Sequence, residues 1–510
     1  MGCTALARVD KCFAWVILPS ANRSLGNVPV HPSLAQRTNY KYWAYGAIAI
    51  GLFASVVDHG SVNIALPKIA DHFHTDIPSV QWVVIAYALV ISALLLPMGK
   101  LADDVGYKRV YITGSLILVV GAILAGLATN LSILILFRVL QGVGGAMTQG
   151  TGMAIVVSTF PASERGKAIG LVMTMVGTGA VAGPAVGGLL VSTLGWRSVF
   201  FLNVPLVLLG ILASLAILQG SQFRLFKGID WLGAVLSAGA LVVFLLVVSS
   251  GHKAGWTSPV ILGGAAGALA LMGSFIWWEL HTNEPMLDLR LFRSRTFSFG
   301  TSAGFLAFLG SSGTLFLMPF YLQGVLGYSP AKAGLVVVPA ALCMAVLGPI
   351  SGRLSDRYGW RPFTVGGLAL SITGLFFLSR LTVDSSLAHV LPALILTSSG
   401  NGVFYSPNSS SILSAVEQEQ YGVVMGLLNL IRNAANVTSV AGATAVVSIT
   451  MVSLGFEPSL DLVRTGVASE AFTSGLRYTF LTMMGVLILG MVVSAFKFSQ
   501  AQRVVTPAVA

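Results

Sequence analysis

A carboxylate, an imidazole and a guanidinium stand out in this chain because almost nothing around them is polar. Asp58 lies in an apolar run over residues 43–66, His59 follows it, and Arg138 sits in another run over residues 131–157. If these runs cross a membrane, a charge inside them is expensive and is kept where it binds protons or pairs with an opposite charge. Asp58 would lie about 22 Å along its helix from the end at which the chain enters. It therefore reads as a proton carrier or as the counter-charge of a cationic substrate, with a permanently neutral, hydrogen-bonded Asp at a kink as the alternative. His59 stands about 100° round the helix from Asp58 and does not share its face. An unperturbed imidazole titrates near physiological pH, so His59 is either a second proton site or a packed neutral ring. Arg138 shares a stripe with Gln141, Gly142 and Gly145 at helical spacing. Such a guanidinium either shifts the proton affinity of a nearby carboxyl or is a structural group bonded to carbonyls of the first helix.

Further polar stripes occur late in the chain. Asn429, Arg432, Asn433 and Asn436 share one helix face, and Asn401, Tyr405 and Asn408 share another. Buried amides in lipid need partners, so these faces look inward, either to touch a substrate or to tie helices together. Phe305, Phe308, Phe316, Phe320 and Tyr321 are candidates for an apolar substrate wall, with packing or lipid contact as the alternative. Gly179, Gly183 and Gly187 recur every four residues, so a neighbouring backbone can approach closely, and Pro184 permits a bend between them.

The elements that hold these groups are membrane spans. Of 510 residues, 55% are hydrophobic and 9% charged, and glycine reaches 57; a soluble domain carries roughly a quarter charged residues. Runs of about 20 apolar residues can be placed fourteen times between residues 43 and 497. An even number puts both termini on one side, and 20 of the 29 Lys and Arg fall on that side, 7 opposite and 2, Arg138 and Arg432, inside helices. Both termini are therefore expected in the cytoplasm. The net charge of +11 follows from this topology, since no basic face or aromatic-interleaved groove points to nucleic acid. Cys3, Cys12 and Cys343 have no metal-ligand spacing. Residues 1–40 lack a cleavable signal peptide and read as a cytoplasmic tail or as an over-extended gene start.

One passage occurs twice. Gly99-Lys-Leu-Ala-Asp103-Asp-Val-Gly106-Tyr-Lys108 recurs as Gly352-Arg-Leu-Ser-Asp356-Arg-Tyr-Gly359-Trp-Arg361 at a constant offset of 253. Parallel halves of this kind are a transporter architecture, with substrate between them near the midplane. Asp103 and Asp356 would then be gate elements, capping a helix or pairing with nearby Arg; anchoring by the adjacent basic residues is the simpler alternative.

These loops resemble the G-x-L-a-D-r-x-G-r-k signature of the major facilitator superfamily. Other passages are similar to its fourteen-helix drug:proton antiporter branch, a group of multidrug efflux transporters. Asp58-His-Gly-Ser-Val-Asn63-Ile-Ala-Leu-Pro67 resembles the first-helix motif, and Arg138-Val-Leu-Gln141-Gly142-Val-Gly144-Gly145 the fourth-helix motif. Gly179, Gly183, Pro184, Gly187 and Gly188 follow the antiporter motif of helix five, with Gly195-Trp196-Arg197 and Asn203-x-Pro205 after it. Glu284 to Phe292 resembles the loop after the two extra helices. The chain departs from the pattern at His59, Asp104 and Tyr107.

The resemblance covers roughly residues 43–497. It implies an all-α integral membrane protein with two six-helix halves, 41–218 and 297–498, joined by two linker helices and a loop over 219–296, with a tail at 499–510. It implies proton-coupled efflux of lipophilic drugs or toxic compounds by alternating access, driven by the proton gradient with no cofactor. Asp58, Arg138 and His59 would couple protons. Asn63, Gln141, Phe305, Phe308, Tyr321, Tyr405, Asn429, Arg432 and Asn433 would face the substrate. The partners expected are a lipophilic small molecule, protons and the inner-membrane bilayer, with a monomer as the working unit and a periplasmic adaptor left open. Export of an endogenous metabolite, lipid or self-made antibiotic would use the same chemistry. A membrane-embedded enzyme or sensor is the reading from a different class. Against it, the chain has no nucleophile elbow or metal-ligand cluster, and the lack of a Walker sequence speaks against ATP-driven export.

Overall fold

The computed structural model describes residues 39–161, 164–218, 230–255, 257–282, 289–417 and 421–496. Residues 1–38 of the tail expected at 1–40, the tail expected at 499–510, and the Glu284–Asp288 part of the loop motif lie outside the described residues. Fourteen spans follow in order. They are α1 (Tyr40–Phe73), α2 (Trp82–Val105), α3 (Tyr107–Gly126), α4 (Leu131–Thr159), α5 (Arg165–Leu194), α6 (Ser198–Ile217) and α7 (Trp231–Ala254). Then come α8 (Pro259–His281), α9 (Arg295–Val325), α10 (Pro330–Tyr358), α11 (Trp360–Leu378), α12 (Leu387–Leu413), α13 (Tyr421–Ser453) and α14 (Ser469–Ala495). Thirteen of them hold apolar stretches of membrane-spanning length, and α7 a shorter one, Leu232–Val248. Among the described residues there is no strand.

Local chemistry sets the ends of these helices. Asn130 accepts from Ile133 N at 2.9 Å to start α4, and Ser329 accepts from Lys332 N at 3.3 Å, with Pro330 at the first position of α10. Asp230 starts α7 by accepting from Gly233 N at 2.9 Å, and the same oxygen accepts from Trp278 Nε1 at 2.7 Å, which ties α7 to α8. The sequence repeat has a backbone counterpart. Gly106 (φ 103°) closes α2 and Gly359 (φ 84°) closes α10, both in the positive-φ range that side chains disfavour.

Helices α1–α6 pack together, as do α9–α14, and the two groups meet along two seams, α5 against α10 and α2 against α13. The 253-residue offset maps α2 onto α10. The linker helices pair with each other, and α7 also packs on α2 and α13. Helix α9 is broken: Gly310 ends one segment, Ser312–Phe320 forms the next, and the last turn, Tyr321–Val325, widens to π-helical spacing after Pro319. A proline removes a backbone donor, which explains a disturbance at that point.

Candidate functional site: a buried ion pair behind a central cavity

Asp58 and Arg138 form an ion pair in the interior of the first helix group. Arg138 Nη1 donates to Asp58 Oδ2 at 2.9 Å, with the side chains 0% and 3% exposed. Four helices build the pair. Arg138 on α4 also donates from Nε to the Val83 carbonyl of α2 at 2.9 Å and from Nη1 to Gln141 Oε1 at 2.9 Å. From α6, Asn203 Nδ2 donates to Asp58 Oδ1 at 2.6 Å. Both carboxylate oxygens are thus engaged by side chains of other helices. The carbonyl partner of Arg138 belongs to the second helix, not the first, and the guanidinium also meets a carboxylate. In the sequence Asn203 stands out only as part of the Asn203-x-Pro205 motif; the further signal is an amide in an otherwise apolar span, which must find a buried partner.

Tyr87 links this pair to open space. The Arg138 guanidinium carbon lies 4.1 Å from the centre of the Tyr87 ring. Tyr87 also lines a cavity of ≈ 270 Å³ between the two helix groups. Its hydroxyl is 3.4 Å from Ser55 Oγ, which accepts from Gln149 Nε2 at 3.3 Å. His59, one residue beyond Asp58, faces the cavity itself. The 100° between them places the carboxylate inside the helix group and the imidazole on its inner wall.

The opposite wall comes from α9 and α13. Phe308, Asn429, Arg432, Asn433 and Asn436 line the cavity. Tyr405 stands behind Phe308, its ring stacked at 4.2 Å and 10° and its hydroxyl 3.1 Å from Ser311 Oγ. The remaining wall candidates lie elsewhere. Gln141 is bound to Arg138, and Asn63 is buried on α1 outside the cavity lining. Phe305 is also outside the lining, and the fully buried Tyr321 donates to the Thr382 carbonyl at 2.7 Å. Asn408 binds the Gly300 carbonyl at 3.0 Å and Asn401 accepts from Ser371 at 3.2 Å, so the α12 stripe ties helices together.

The two helix groups are joined by polar contacts at one end, opposite the repeat loops. Asp71 pairs with Arg464, and Lys68 stands 3.7 Å from the same carboxylate oxygen. Ile77 N donates to the Pro458 carbonyl at 3.2 Å, Gln323 Nε2 to the Ile64 carbonyl at 2.9 Å, and Ala331 N to Ser192 Oγ at 2.9 Å. The glycine series adds close backbone approach. A methyl on Gly183 would lie 3.1 Å from Gly60 Cα, and one on Gly187 would lie 2.5 Å from Ser61 Cα. Ser61 Oγ donates to the Gly183 carbonyl at 2.9 Å. A methyl on Gly188 would lie 2.5 Å from the Pro330 carbonyl oxygen, and one on Gly179 2.9 Å from Val56 Cβ.

At the repeat loops, Tyr107 donates to Asp103, so the departure from the basic pattern supplies a hydroxyl partner instead. Lys108 donates to the Leu215 and Leu218 carbonyls at the end of α6. Gly99 and Gly352 occupy equivalent places, the first facing Gly150 and the second Ser406. Asp356 is exposed at the end of α10, and Arg361 lies in the first turn of α11.

Comparison with known proteins accords with this architecture. The family model of the Major Facilitator Superfamily matches residues 48–225 and 226–440. The riboflavin transporter RibZ of Clostridioides difficile is 35% identical over 387 residues, 76% of this chain and 84% of that protein. The multidrug resistance protein Stp of Mycobacterium tuberculosis is 33% identical over 81% of this chain and 77% of its own length. The tetracenomycin C resistance and export protein of Streptomyces glaucescens is 33% identical over 75% and 71%. A crystal structure of a bacterial homolog of the human lysosomal transporter Spinster, in an inward-facing and unoccupied conformation, shares the fold. Its TM-score is 0.64 at 18% identity, covering 90% of this chain and 97% of that one. The chain is a multi-pass membrane transporter, not an enzyme, and it belongs to the major facilitator superfamily, among its multidrug-efflux relatives.

Proposed function

We propose that this transporter is a proton-coupled exporter of lipophilic compounds, with both termini in the cytoplasm and Asp58 as the proton carrier. The observation that carries the reading is the Asp58–Arg138 pair, buried at mid-span and separated from the cavity by the Tyr87 ring. A charged Asp58 holds α1, α4 and α6 together through Arg138 and Asn203. A proton on Asp58 removes the attraction and releases that constraint, which favours a different arrangement of the same helices. Polar contacts close the end opposite the repeat loops, which under the Lys/Arg bias is the outer end. The cavity therefore serves cytoplasmic loading, and proton uptake belongs to the outward-open state. Lipophilic cargo suits a wall of Phe308, Leu52, Val56 and Ile91.

Export of an endogenous aromatic metabolite is the second reading, favoured by the likeness to a riboflavin transporter and a tetracenomycin exporter. One experiment tests the coupling in both. Cells lacking their own pumps are loaded with lipophilic fluorescent dyes of both charge signs, and efflux is followed with and without a protonophore. Protonophore-sensitive efflux that Asp58→Asn abolishes is the expected result. Undiminished gradient-driven efflux by Asp58→Asn would remove Asp58 from the coupling role.

A further inference from the structure

Among the described residues, the formal charge that lines the central cavity is the guanidinium of Arg432. Arg432 is half-buried on its wall and makes no ion pair among the described residues. Among the described residues no Asp or Glu lines the cavity, and its other titratable groups are His59 and Tyr87. The nearby carboxylate, Asp58, has both oxygens engaged by Arg138 and Asn203 inside the first helix group. A guanidinium held away from bulk water without a counter-charge is costly, so an occupant that brings a negative oxygen is favoured and a cation is penalised.

The groups beside Arg432 extend this preference. Asn429 and Asn433 lie three residues before it and one after it on α13 and line the same cavity. Asn433 Nδ2 is buried with no hydrogen-bond acceptor. Amide and guanidinium donors thus line one cavity in which no carboxylate is found among the described residues. Next to them is the flat face of Phe308, backed by the parallel ring of Tyr405 at 4.2 Å. Stacked rings of this kind favour a planar aromatic body, and a guanidinium fork matches a carboxylate.

Resting on the reading of this cavity as the transport site, we propose that it selects flat aromatic compounds carrying an oxyanion. The oxyanion sits on Arg432 and Asn433, and the ring system lies against Phe308. Arg432 is then the residue that sets charge selectivity in a pump whose proton carrier is kept out of contact with cargo.

The test uses the purified full-length protein in lipid nanodiscs and two xanthene dyes of similar shape, fluorescein as the anion and rhodamine ethyl ester as the cation. Fluorescence anisotropy reads the affinity of each. The wild type should bind fluorescein about tenfold tighter or more, since a hydrogen bond to a charged group is worth about 1.5–3 kcal/mol. Arg432→Gln should remove that preference while leaving rhodamine binding equal or stronger, and Arg432→Lys should restore part of it. If the Gln variant does not fold, Asn433→Ala provides a second reading, weakening fluorescein alone. Tighter binding of the cation by the wild type, an equal loss of both dyes in Arg432→Gln, or binding of neither dye would overturn the proposal. Binding is read without a gradient, so these outcomes are separate from those of the efflux assay. Gradient-independent efflux would sink the proton-coupled reading and leave the charge preference standing.

Discussion

Arg138 carries three obligations, to the Val83 carbonyl, the Gln141 amide oxygen and the Asp58 carboxylate, and all three residues are buried. Removing one partner of a buried ion pair leaves the other charge uncompensated, at a cost of about 3–5 kcal/mol. Arg138→Gln should therefore lower thermal stability in detergent by about that amount. The double substitution Asp58→Asn with Arg138→Gln should recover most of it, because no lone charge remains. Additive losses in this cycle, followed by intrinsic fluorescence on heating, would mean that the two side chains are energetically independent. The charges themselves were legible in the sequence, since lone Asp and Arg residues in apolar runs are rare. Their surroundings were less so. Helical periodicity separates the faces of Asp58 and His59, but it does not say which face meets the cavity. Nor does it say that Asn203, 145 residues on, will reach Asp58. That information resides in which helix packs on which.

Among the elements, α5 depends most on the absence of side chains. Gly183 and Gly187 lie against Gly60 and Ser61 of α1, while Gly188 meets the start of α10, so one helix is packed tightly on two sides. Gly183→Leu places a large side chain where even a methyl is 3.1 Å from backbone. We expect the variant to reach the membrane with coupled transport abolished. Normal transport by Gly183→Leu would show that α5 need not lie this close to α1. The glycine spacing announced a close approach without naming its partner. The span count was also readable, because about 20 apolar residues are needed for each crossing and polar loops separate them. Depth within α9 was harder to read. Pro319 and the widened turn after it carry Tyr321 to the loop at Thr382, away from the cavity wall that its apolar neighbours suggest.

At the scale of the whole molecule, polar contacts between the two helix groups gather at one end, and Asp71–Arg464 is the ionic one. Both side chains are partly exposed, so the pair contributes about 1 kcal/mol or less. Asp71→Asn should accordingly shift the population toward the outward-open state by several-fold at most, without unfolding the protein. Distances between spin labels placed on the loops after α1 and α13 would report it, and an unchanged distribution would assign closure to the helix packing and the backbone hydrogen bonds at that end. Helix α7 bears on a different property. It packs on both α2 and α13, burying Ala234, Ala240 and Leu245 while Val235, Phe244 and Leu246 remain on its outer surface. One seam between the helix groups is therefore flanked by a linker helix, whereas neither linker helix packs extensively on α5 or α10 among the described residues. A compound dissolved in the membrane meets three helices on one flank of the molecule and, on the other, a two-helix joint closed by glycine against backbone.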